Sequence, residues 1–493
     1  MASDEDRGAL NGMEKRLFKL VLKGATSEQW AEWLRVPLEH AVAEGDKGLA
    51  MDLLKAGANG GAGWKGCHGR TMLAAAAEGG SHEVVSTLLE AGGSDELNRV
   101  TGGYDRTALH WALAGGHTDA ARVLMLAGAD VTLHDFFRRT TLHYATEGGH
   151  LQLAGDLIIG GADLRADDID GNTPLHLAAA HDDENFVCTL LRRRARRNAT
   201  NNRGQRPLHV AIENKRVTVV EALLKAGANP NARYGDNERC SPLQLARCSL
   251  AMIKILLKHG AEVESSDNFG YTALHWAAGS GEPGVIDALV EAGADLEAQS
   301  GRVYLSGKYF VGLTPLHVAA VWHKFGSMAA LLRNGANVDA ESDQKLTPLH
   351  VVCQTCPTRW TPATARTHSS AAAADVLLRW GADETATDNS GHTPEDLIEG
   401  RSNNSQHLRR VLVNAPADRA WRRRGVLPMC RAFPGKIMAR DGNGRAGKAR
   451  ARGEAGRGRR GGRVSRGRGV ANVLAQVVEL DDDETFRTVV EFL

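Results

Sequence analysis

Seven histidines hold the same place in a short recurring motif, Thr-Pro-Leu-His or a near copy, and histidine can bind a metal or transfer protons. Successive motifs stand mostly 33 residues apart, so each histidine belongs to a separate unit of the chain. We therefore expect each ring to be hydrogen-bonded locally and not to share a metal. The first and last motif residues are Thr107 and His110, Thr140 and His143, Thr173 and His176, Arg206 and His209, Thr272 and His275, Thr314 and His317, and Thr347 and His350.

A second cluster of potential metal ligands combines Cys353, Cys356 and His368 with His350 of the last motif. A tetrahedral zinc site takes four such ligands. However, His350 belongs to the recurring motif, and Cys353 falls where the motif predicts an inner helix with small apolar residues. We therefore favour packing over zinc binding, and predict no metal and no cofactor.

The sequence contains no phosphate-binding loop, nucleophile elbow, kinase signature or metalloprotease helix. Glycine clusters such as Gly60–Gly63 lack the lysine that follows in a phosphate-binding loop. The sequence therefore predicts a protein that is not an enzyme.

The motif recurs with a period in the low thirties, which is typical of a solenoid built from one repeated unit. Measured at the second position of the motif, three spacings of 33 follow one another between residues 108 and 207. Thr173 can cap a helix with its hydroxyl, and Pro174 then takes the first helical position, where an N–H is not needed. Leu223 and Leu224 fit a second helix, which Gly227 would end in the left-handed conformation.

On these residues the chain resembles the ankyrin-repeat protein family over about residues 35–414, in about eleven repeats. The resemblance implies an all-α fold, an α-solenoid of helix-turn-helix repeats with β-hairpin fingers. It also implies that a histidine such as His176 bridges backbone groups of adjacent repeats. We divide the chain into an N-terminal helical cap (1–34), the solenoid (35–414), a short post-repeat element (415–438), a disordered basic Arg/Gly-rich linker (439–469) and short C-terminal helices (470–493).

Two repeats depart from the pattern. Arg194 stands where the helix-ending glycine is expected, so this corner should be locally weak. The run 192–197, which contains five arginines, is either a solvated helix end or a docking position for an acidic partner. Repeat seven lacks two residues between Pro242 and Gly260, which predicts shortened helices.

Two insertions interrupt the period. The first, Ser300–Phe310, adds about nine residues to a finger and alternates enough to predict a longer β-hairpin. The second runs from Gln354 to about Ser369, between the two helices of repeat ten. Long insertions on one face of a solenoid are often functional.

Aromatic residues are concentrated in the finger segments, where exposed rings tend to be contact anchors. We predict partner contacts above all at Phe136, Phe137, Tyr309 and Phe310; the alternative is that the rings pack on neighbouring fingers. Inner-helix ends offer a groove lined by Glu44, Glu78, Glu147, Glu213, His181 and Trp322. The finger aromatics are Tyr104, Phe136, Phe137, Tyr234, Phe269, Tyr271, Tyr304, Tyr309 and Phe310.

Charge, cysteine content and hydropathy predict the cellular compartment of the protein. The net charge of +1 combines 18 Lys/Arg against 9 Asp/Glu from residue 415 onward with 42 against 50 before it. The seven cysteines are scattered, which predicts reduced thiols in a cytoplasmic or nuclear protein. Since no apolar signal region and no run of eighteen apolar residues occurs, we expect neither secretion nor a membrane span.

These observations predict a monomeric, non-catalytic scaffold or adaptor that binds partner proteins through its finger tips and its concave inner-helix groove. One alternative is a nucleic-acid-associated regulatory protein that uses the Arg/Gly-rich residues 439–469, which could also be a plain linker. A second is autoinhibition by this basic tail lying in the acidic groove. A third, a ubiquitin-ligase-type substrate adaptor, rests on the position of the tail alone.

Overall fold

The computed structural model describes residues 34, 36–42, 46–55, 69–90, 93–235, 239–305, 308–354, 369–398 and 405–415. These residues form two compact units, which are divided in the sequence between residues 236 and 237. Within each unit the described chain is a series of helix pairs joined by extended fingers, so the helix-turn-helix repeats predicted from the sequence are confirmed.

In the first unit a short inner helix, mostly of seven residues, alternates with an outer helix of nine. Residues 36–42 are helical, outer helix α1 follows them, and a complete inner-outer pair follows in each of repeats two to six. The bounds are α1 (Lys47–Lys55), α2 (Met72–Glu78), α3 (His82–Glu90), α4 (Ala108–Ala114), α5 (Thr118–Leu126), α6 (Thr141–Glu147), α7 (Leu151–Ile159), α8 (Pro174–Ala180), α9 (Glu184–Arg192), α10 (Pro207–Glu213) and α11 (Val217–Lys225).

The second unit repeats this arrangement and adds one two-stranded sheet. Its elements are α12 (Pro242–Leu245), α13 (Leu250–Lys258), α14 (Ala273–Ser280), α15 (Pro283–Glu291), β1 (Val303–Leu305), β2 (Lys308–Phe310), α16 (Pro315–Val321), α17 (Phe325–Arg333), α18 (Pro348–Gln354) and α19 (Ser369–Arg379). Residues 405–415 are also helical.

The inner helices begin at the motif, as predicted. Thr173 has an extended backbone and is the N-cap of α8, and Pro174 is the first residue of that helix. Leu175, Ala178 and Ala179 are buried. Because alanine is small, neighbouring inner helices can pack closely along this buried row.

The outer helices bury the leucines expected of them and end at a left-handed residue. Leu223 and Leu224 of α11 are buried, and Gly227 has a φ of +83°. Arg194 occupies the same position after α9 with a φ of +66°. A side chain in this conformation costs about 1 kcal/mol relative to glycine, and the local weakness of this corner stays a prediction.

Repeat seven differs from its prediction. Its inner helix, α12, has only four residues, while its outer helix, α13, keeps the usual nine. The two missing residues therefore shorten the inner helix alone, and the expectation of two shortened helices is wrong for α13.

The longer finger of repeat nine is a β-hairpin, as predicted. Strands β1 and β2 are antiparallel, with Val303 paired to Phe310 and Tyr304 paired to Tyr309. At the base of the finger, the Ser300 N–H donates to the carbonyl of Leu313 over 2.9 Å.

Several predictions concern segments that lie almost entirely outside the described part of the chain. They are those for the N-terminal cap, the second insertion, the post-repeat element, the Arg/Gly-rich linker and the C-terminal helices. Among the described helices, none is long and apolar enough to cross a membrane.

Candidate interaction surface

The motif histidines are buried where a finger turns into an inner helix, and they link adjacent repeats. The Nδ1 atom of His176 accepts a hydrogen bond from the Thr173 N–H (3.1 Å), and Nε2 donates to the carbonyl of Gln205 in the next repeat (3.1 Å). The bridge implied by the resemblance is thus confirmed. The same bridge, with Nε2-to-oxygen distances of 2.7–3.2 Å, is made by His143, His209, His275, His317 and His350.

Burial keeps these rings neutral. Removal from water lowers the pKa of His209, His275 and His317 to about 4, and the carbonyl that each ring meets offsets only part of this effect. Burial is also the main cause that lowers the pKa of His143 and His176. The neutral ring carries its proton on Nε2, because Nδ1 accepts, so both nitrogens serve the backbone.

His110 is the exception among the seven. Its Nδ1 accepts from the Thr107 N–H over 3.3 Å, but its buried Nε2 has no hydrogen-bond partner within the described ranges. The backbone of Arg139 lies in the equivalent place at a poorer geometry. Burial lowers the pKa of His110 to about 4 as well.

Repeat seven uses a glutamine in place of the histidine, which the sequence analysis missed. The Oε1 atom of Gln244 accepts from the Ser241 N–H (2.6 Å), and its Nε2 donates to the carbonyl of Tyr271 (2.7 Å). An amide offers an acceptor and a donor, as a neutral imidazole does. The available signal was the sequence Ser-Pro-Leu-Gln, which has the motif's spacing.

A row of alternating guanidinium groups and aromatic rings crosses three repeats of the first unit. The Arg70 guanidinium lies 3.9 Å from the ring centroid of Trp111, and that of Arg106 lies 4.8 Å from Trp111 and 5.1 Å from Tyr144. The row ends at Arg139, 5.7 Å from Tyr144. Each contact places a cation over the electron-rich face of a ring, and we call these five residues the arginine–aromatic row.

Hydrogen bonds fix the centre of this row. Arg106 donates to the hydroxyl of Tyr144, which in turn donates to Asp135, both over 2.7 Å. Burial and the Asp135 carboxylate raise the pKa of Tyr144 to about 12. Sequence reasoning missed the row, although its signal is an arginine directly before the motif and an aromatic residue directly after the histidine.

Two of the groove glutamates have arginine partners from this row. Glu78 forms an ion pair with Arg70, and Glu147 pairs with Arg139 over 2.8 Å. Glu44 lies outside the described residues. The negative charge of the groove is therefore neutralised at these two positions. A basic segment of a partner has correspondingly less reason to bind there.

The other groove positions are less uniform. Glu213 accepts hydrogen bonds from Gln205 (2.8 Å) and Tyr234, and burial raises the pKa of its carboxyl. His181 is partly exposed after α8, and Trp322 is exposed at the end of α16. Trp322, which belongs to the second unit, is the residue of this set with a large exposed apolar surface.

Three exposed apolar side chains and the partly buried ring of Phe137 occupy three successive finger tips of the first unit, and we call Tyr104, Phe136, Phe137 and Ile169 the tip patch. Tyr104 is 49% exposed, Phe136 is 60% exposed, and Ile169 is about half exposed. The rings of Tyr104 and Phe137 stack with centroids 5.7 Å apart, and Phe136 meets Phe137 edge-on at 5.4 Å. The tips thus pack on one another and still face solvent; Ile169 was not predicted.

Backbone hydrogen bonds connect these tips from finger to finger. The Phe136 N–H donates to the carbonyl of Tyr104 (2.9 Å), and the Ile169 N–H donates to that of Phe137 (2.8 Å). Beyond the patch, the Asn202 N–H donates to the carbonyl of Asp170 (2.9 Å). The spacing of the exposed side chains is therefore set by the main chain.

The hairpin of the second unit separates its aromatic residues onto two faces. Tyr304 and Tyr309 form an exposed cross-strand pair with centroids 4.8 Å apart, which we call the tyrosine face. Phe310 is only 2% exposed and packs in a cluster with Leu313 and Val318. The expectation that Phe310 is an exposed contact residue is wrong, because successive strand residues point to opposite faces.

The two remaining finger aromatics of this unit also differ. Phe269 is exposed, and its carbonyl accepts from the Gly301 N–H over 2.7 Å. Tyr271 is buried and stacks on His275 with centroids 5.1 Å apart, so the expected exposure of finger aromatics fails there too.

The zinc interpretation gains no support from the geometry. Both ring nitrogens of His350 are used by the backbone, and Cys353 is buried in α18. Cys356 and His368 lie outside the described residues. Over the described ranges, no group of three or more His, Cys, Asp or Glu residues is placed to hold a metal ion.

The repeats match a known family by sequence. The family model described as "Ankyrin repeats (3 copies)" matches residues 38–135, 142–234 and 233–300, and "Ankyrin repeat" matches residues 311–343. The first of these models covers more than half of the chain. The chain belongs to the ankyrin-repeat family.

Solved ankyrin-repeat proteins are similar to parts of the chain. The human ASB11 ankyrin repeat domain is 24% identical, with 49% of this chain and 98% of that one covered and a TM-score of 0.40. The Bcl-3 ankyrin repeat domain is 30% identical, with 46% and 98% covered and a TM-score of 0.39.

A third similar structure is the complex of the Bdellovibrio bacteriovorus predatory endopeptidase Bd0816 with the immunity protein Bd3460. It is 30% identical, with 39% of this chain and 96% of that one covered and a TM-score of 0.35. Among curated proteins, none matches the chain.

Ankyrin repeats are typically non-catalytic interaction modules, and membership of the family implies protein partners. In this ankyrin-repeat chain the motif side chains face inward and serve the backbone. Among the described residues, the side chains exposed to a partner include Tyr104, Phe136 and Ile169 of the tip patch, the tyrosine face and Trp322.

Proposed function

We propose that this ankyrin-repeat protein is a non-catalytic scaffold that binds a partner protein through the tip patch, with the tyrosine face as a further contact surface. The observation that carries the proposal is the exposure of Tyr104, Phe136 and Ile169 on three consecutive fingers. Exposed apolar patches of soluble proteins mark interaction sites.

The tip patch is suited to binding because it is preformed. The backbone bonds between fingers fix the spacing of its side chains, so little conformational entropy is lost when a partner binds. Phenylalanine and tyrosine also supply a large contact area from few rotatable bonds. Affinity would thus come from shape and from burial of the rings.

The arginine–aromatic row contacts the tip patch at Tyr104. Tyr104 is stacked on Phe137 and also lies 5.3 Å from the Arg106 guanidinium, the central cation of the row. The row therefore helps to orient a ring of the patch, and its own arginines are engaged by Tyr144 and by carboxylates.

The test compares the proteins captured by the full-length chain and by a double variant, Phe136→Ser with Ile169→Ser, using cross-linking and mass spectrometry. A second double variant, Tyr304→Ser with Tyr309→Ser, tests the tyrosine face. The matched control is Val413→Ser, which removes an equally exposed apolar side chain from the helical residues 405–415.

We expect at least one partner to be retained by the control and lost by the tip variant, while circular dichroism shows all variants folded. If the tip variant captures the same proteins as the wild type, in the same amounts, the tip patch is not the binding surface. Loss in the tyrosine-face variant alone would assign binding to the second unit.

A further inference from the structure

The corner after outer helix α9 carries five arginines within residues 192–197, and all five are exposed. The surrounding segment, residues 192–235, contains 11 Lys/Arg against 2 Asp/Glu. This corner lies at the end of an outer helix and not on a finger, so it is separate from the tip patch.

The first unusual feature of this corner is the backbone of Arg194. Its φ of +66° is the left-handed conformation that disfavours a side chain. In the seven other repeats whose corner is described, glycine takes this position, namely at Gly128, Gly161, Gly227, Gly260, Gly293, Gly335 and Gly381.

The second unusual feature is Arg196, two residues further on. In six of those seven repeats this place holds Asp or Asn, whose side chain accepts a hydrogen bond from the backbone two residues ahead, as Asp130 does from the Thr132 N–H (2.8 Å). Arginine cannot accept that bond. The others are Asp163, Asn229, Asp295, Asn337 and Asp383.

Local contacts do not compensate for these two substitutions. Arg197 donates to the carbonyl of Gly227 (3.1 Å), and Arg192 lies at the helix C-terminus, where a cation is favourable. For Arg193, Arg194 and Arg196, no carboxylate lies within ion-pair distance among the residues that the structure describes. Two turn-forming residues have thus been exchanged for unpaired cations, a pattern expected of a functional site.

The neighbouring outer helices extend this charged corner with apolar side chains. Helices α5, α7, α9 and α11 each have nine residues, start 33 residues apart, and end at Leu126, Ile159, Arg192 and Lys225. Leu126 is 89% exposed and Ile159 is 74% exposed. The last residue of the outer helix is therefore apolar in two successive repeats and cationic in the next two. Of the two cations, Lys225 pairs with Glu221.

We propose that the corner at residues 192–197, together with Leu126 and Ile159, docks an acidic polypeptide segment that also carries apolar residues. Carboxylates would pair with Arg193, Arg194 and Arg196, and apolar side chains would cover the two exposed aliphatic residues. Nucleic acid is disfavoured because single strands are bound by cations together with stacking rings, and no exposed aromatic ring lies within residues 184–233.

Packed helices lie about 8–10 Å apart, so the ends of four outer helices span roughly 30 Å. An extended peptide of about ten residues covers this length. The probe is therefore a fluorescent 12-residue peptide in which Asp and Glu alternate with Leu, and its binding to the full-length protein is measured by anisotropy. Its two controls are the same peptide with Asn and Gln, and a single-stranded DNA of 12 nucleotides.

The decisive variant combines Arg194→Gly with Arg196→Asp, because it restores the residues that the other repeats have. We expect this protein to melt at the same temperature as the wild type or higher, and to bind the acidic peptide at least about tenfold more weakly. The matched control is Lys345→Gly, which also removes an exposed cation from a left-handed position (φ +55°), in a finger of the second unit.

Three outcomes would overturn the proposal. One is equal peptide affinity in the wild type and the double variant; another is equal binding of the uncharged peptide. The third is tighter binding of the DNA than of the acidic peptide, which would identify a nucleic-acid site. An unchanged affinity in Lys345→Gly, with rising salt weakening the wild-type complex, would support it.

Discussion

We call the turn from a finger into an inner helix, where the motif histidine lies, the motif corner; it is distinct from the corner at residues 192–197. The motif corner and the finger tip of one ankyrin repeat lie a few residues apart in the sequence, yet they are subject to different constraints. At the corner, as at His143, buried backbone groups of two repeats must be paired, and only a side chain with both an acceptor and a donor does this. At the tip, as at Phe136, backbone bonds between fingers already satisfy the main chain, so the side chain can vary.

This difference separates stability from recognition within one repeat. The corner varies little between repeats three and ten, with histidine at seven of them and Gln244 at the other, while Ala74 and Asp396 take this place in the second and last repeats. The tips range from Tyr104 and Phe136 to Ile169 and Asn202. Residues that recur therefore support the fold, and residues that vary between repeats are the ones that can specify a partner.

The largest contrast is expected between two neighbouring residues of the hairpin. Phe310→Ala removes a fully buried ring from the cluster with Leu313, so we expect a loss of about 3–5 kcal/mol in the free energy of unfolding. Tyr309→Ala, on the opposite face, should change it by less than about 0.5 kcal/mol. Urea unfolding followed by circular dichroism measures both, and equal losses would contradict the two-faced hairpin.

The next effect concerns a corner. His317→Ala leaves the Thr314 N–H and the Leu346 carbonyl unpaired, each at a cost of about 1–3 kcal/mol. His317→Gln should keep most of the stability, since Gln244 makes the equivalent pair of bonds in repeat seven. Thermal unfolding of the two variants decides the matter; if glutamine is as damaging as alanine, hydrogen bonding is not what histidine supplies.

Acid should lower the free energy of unfolding through the buried histidines of the motif corners, and not through the finger tips. The pKa of His275 and His317 is about 4 in the folded protein against 6.5 for the free side chain, so the unfolded chain binds more protons between these values. Stability is therefore fully present above pH 6.5 and is lost as pH falls from there toward 4. Each histidine contributes up to about 1.4 kcal/mol per pH unit.

The measurement is urea unfolding at pH 7, 6 and 5 for the wild type and for the double variant His275→Gln with His317→Gln. Glutamine does not titrate, so we expect a shallower loss of stability with falling pH in the variant. An identical pH dependence in both proteins would show that these two rings do not control it.

The smallest effect on stability is expected at the tip. Phe136→Ser removes a ring that is mostly in contact with solvent, so the free energy of unfolding should change by no more than about 0.5 kcal/mol. Chemical unfolding beside the wild type measures this change. A loss of 2 kcal/mol or more would mean that the ring serves the fold, and would remove the distinction between tip and corner.

Much of the corner could be predicted from the sequence, because its residue types dictate its geometry. Threonine takes the N-cap position, proline starts the helix, and glycine ends the outer helix, as at Thr173, Pro174 and Gly227, although the Thr173 hydroxyl pairs with the His176 ring and not with a backbone N–H. Each of these depends on neighbours within a few residues. The fold class followed from the same motif and its period.

The surface was less predictable, because it depends on contacts between repeats. The inward direction of Phe310 is set by the strand register of the hairpin, and two stacked repeats are needed to bring Arg106 between Trp111 and Tyr144. Ile169 joins the tip patch only because its finger is bonded to the preceding one. The contacts of Arg106 with Tyr144 and of Ile169 with Phe137 join different repeats and are not local in the sequence.

The hairpin of repeat nine also bears on how such a chain can acquire new specificity. Its insertion adds Phe310 and Val303 to the interior as well as Tyr304 and Tyr309 to the exterior, so the added segment contributes to its own attachment. A finger lengthened in this way can accept changes at every second position without disturbing the helices beneath it. The same property makes this hairpin a suitable place to graft a foreign binding sequence by replacing Tyr304 and Tyr309.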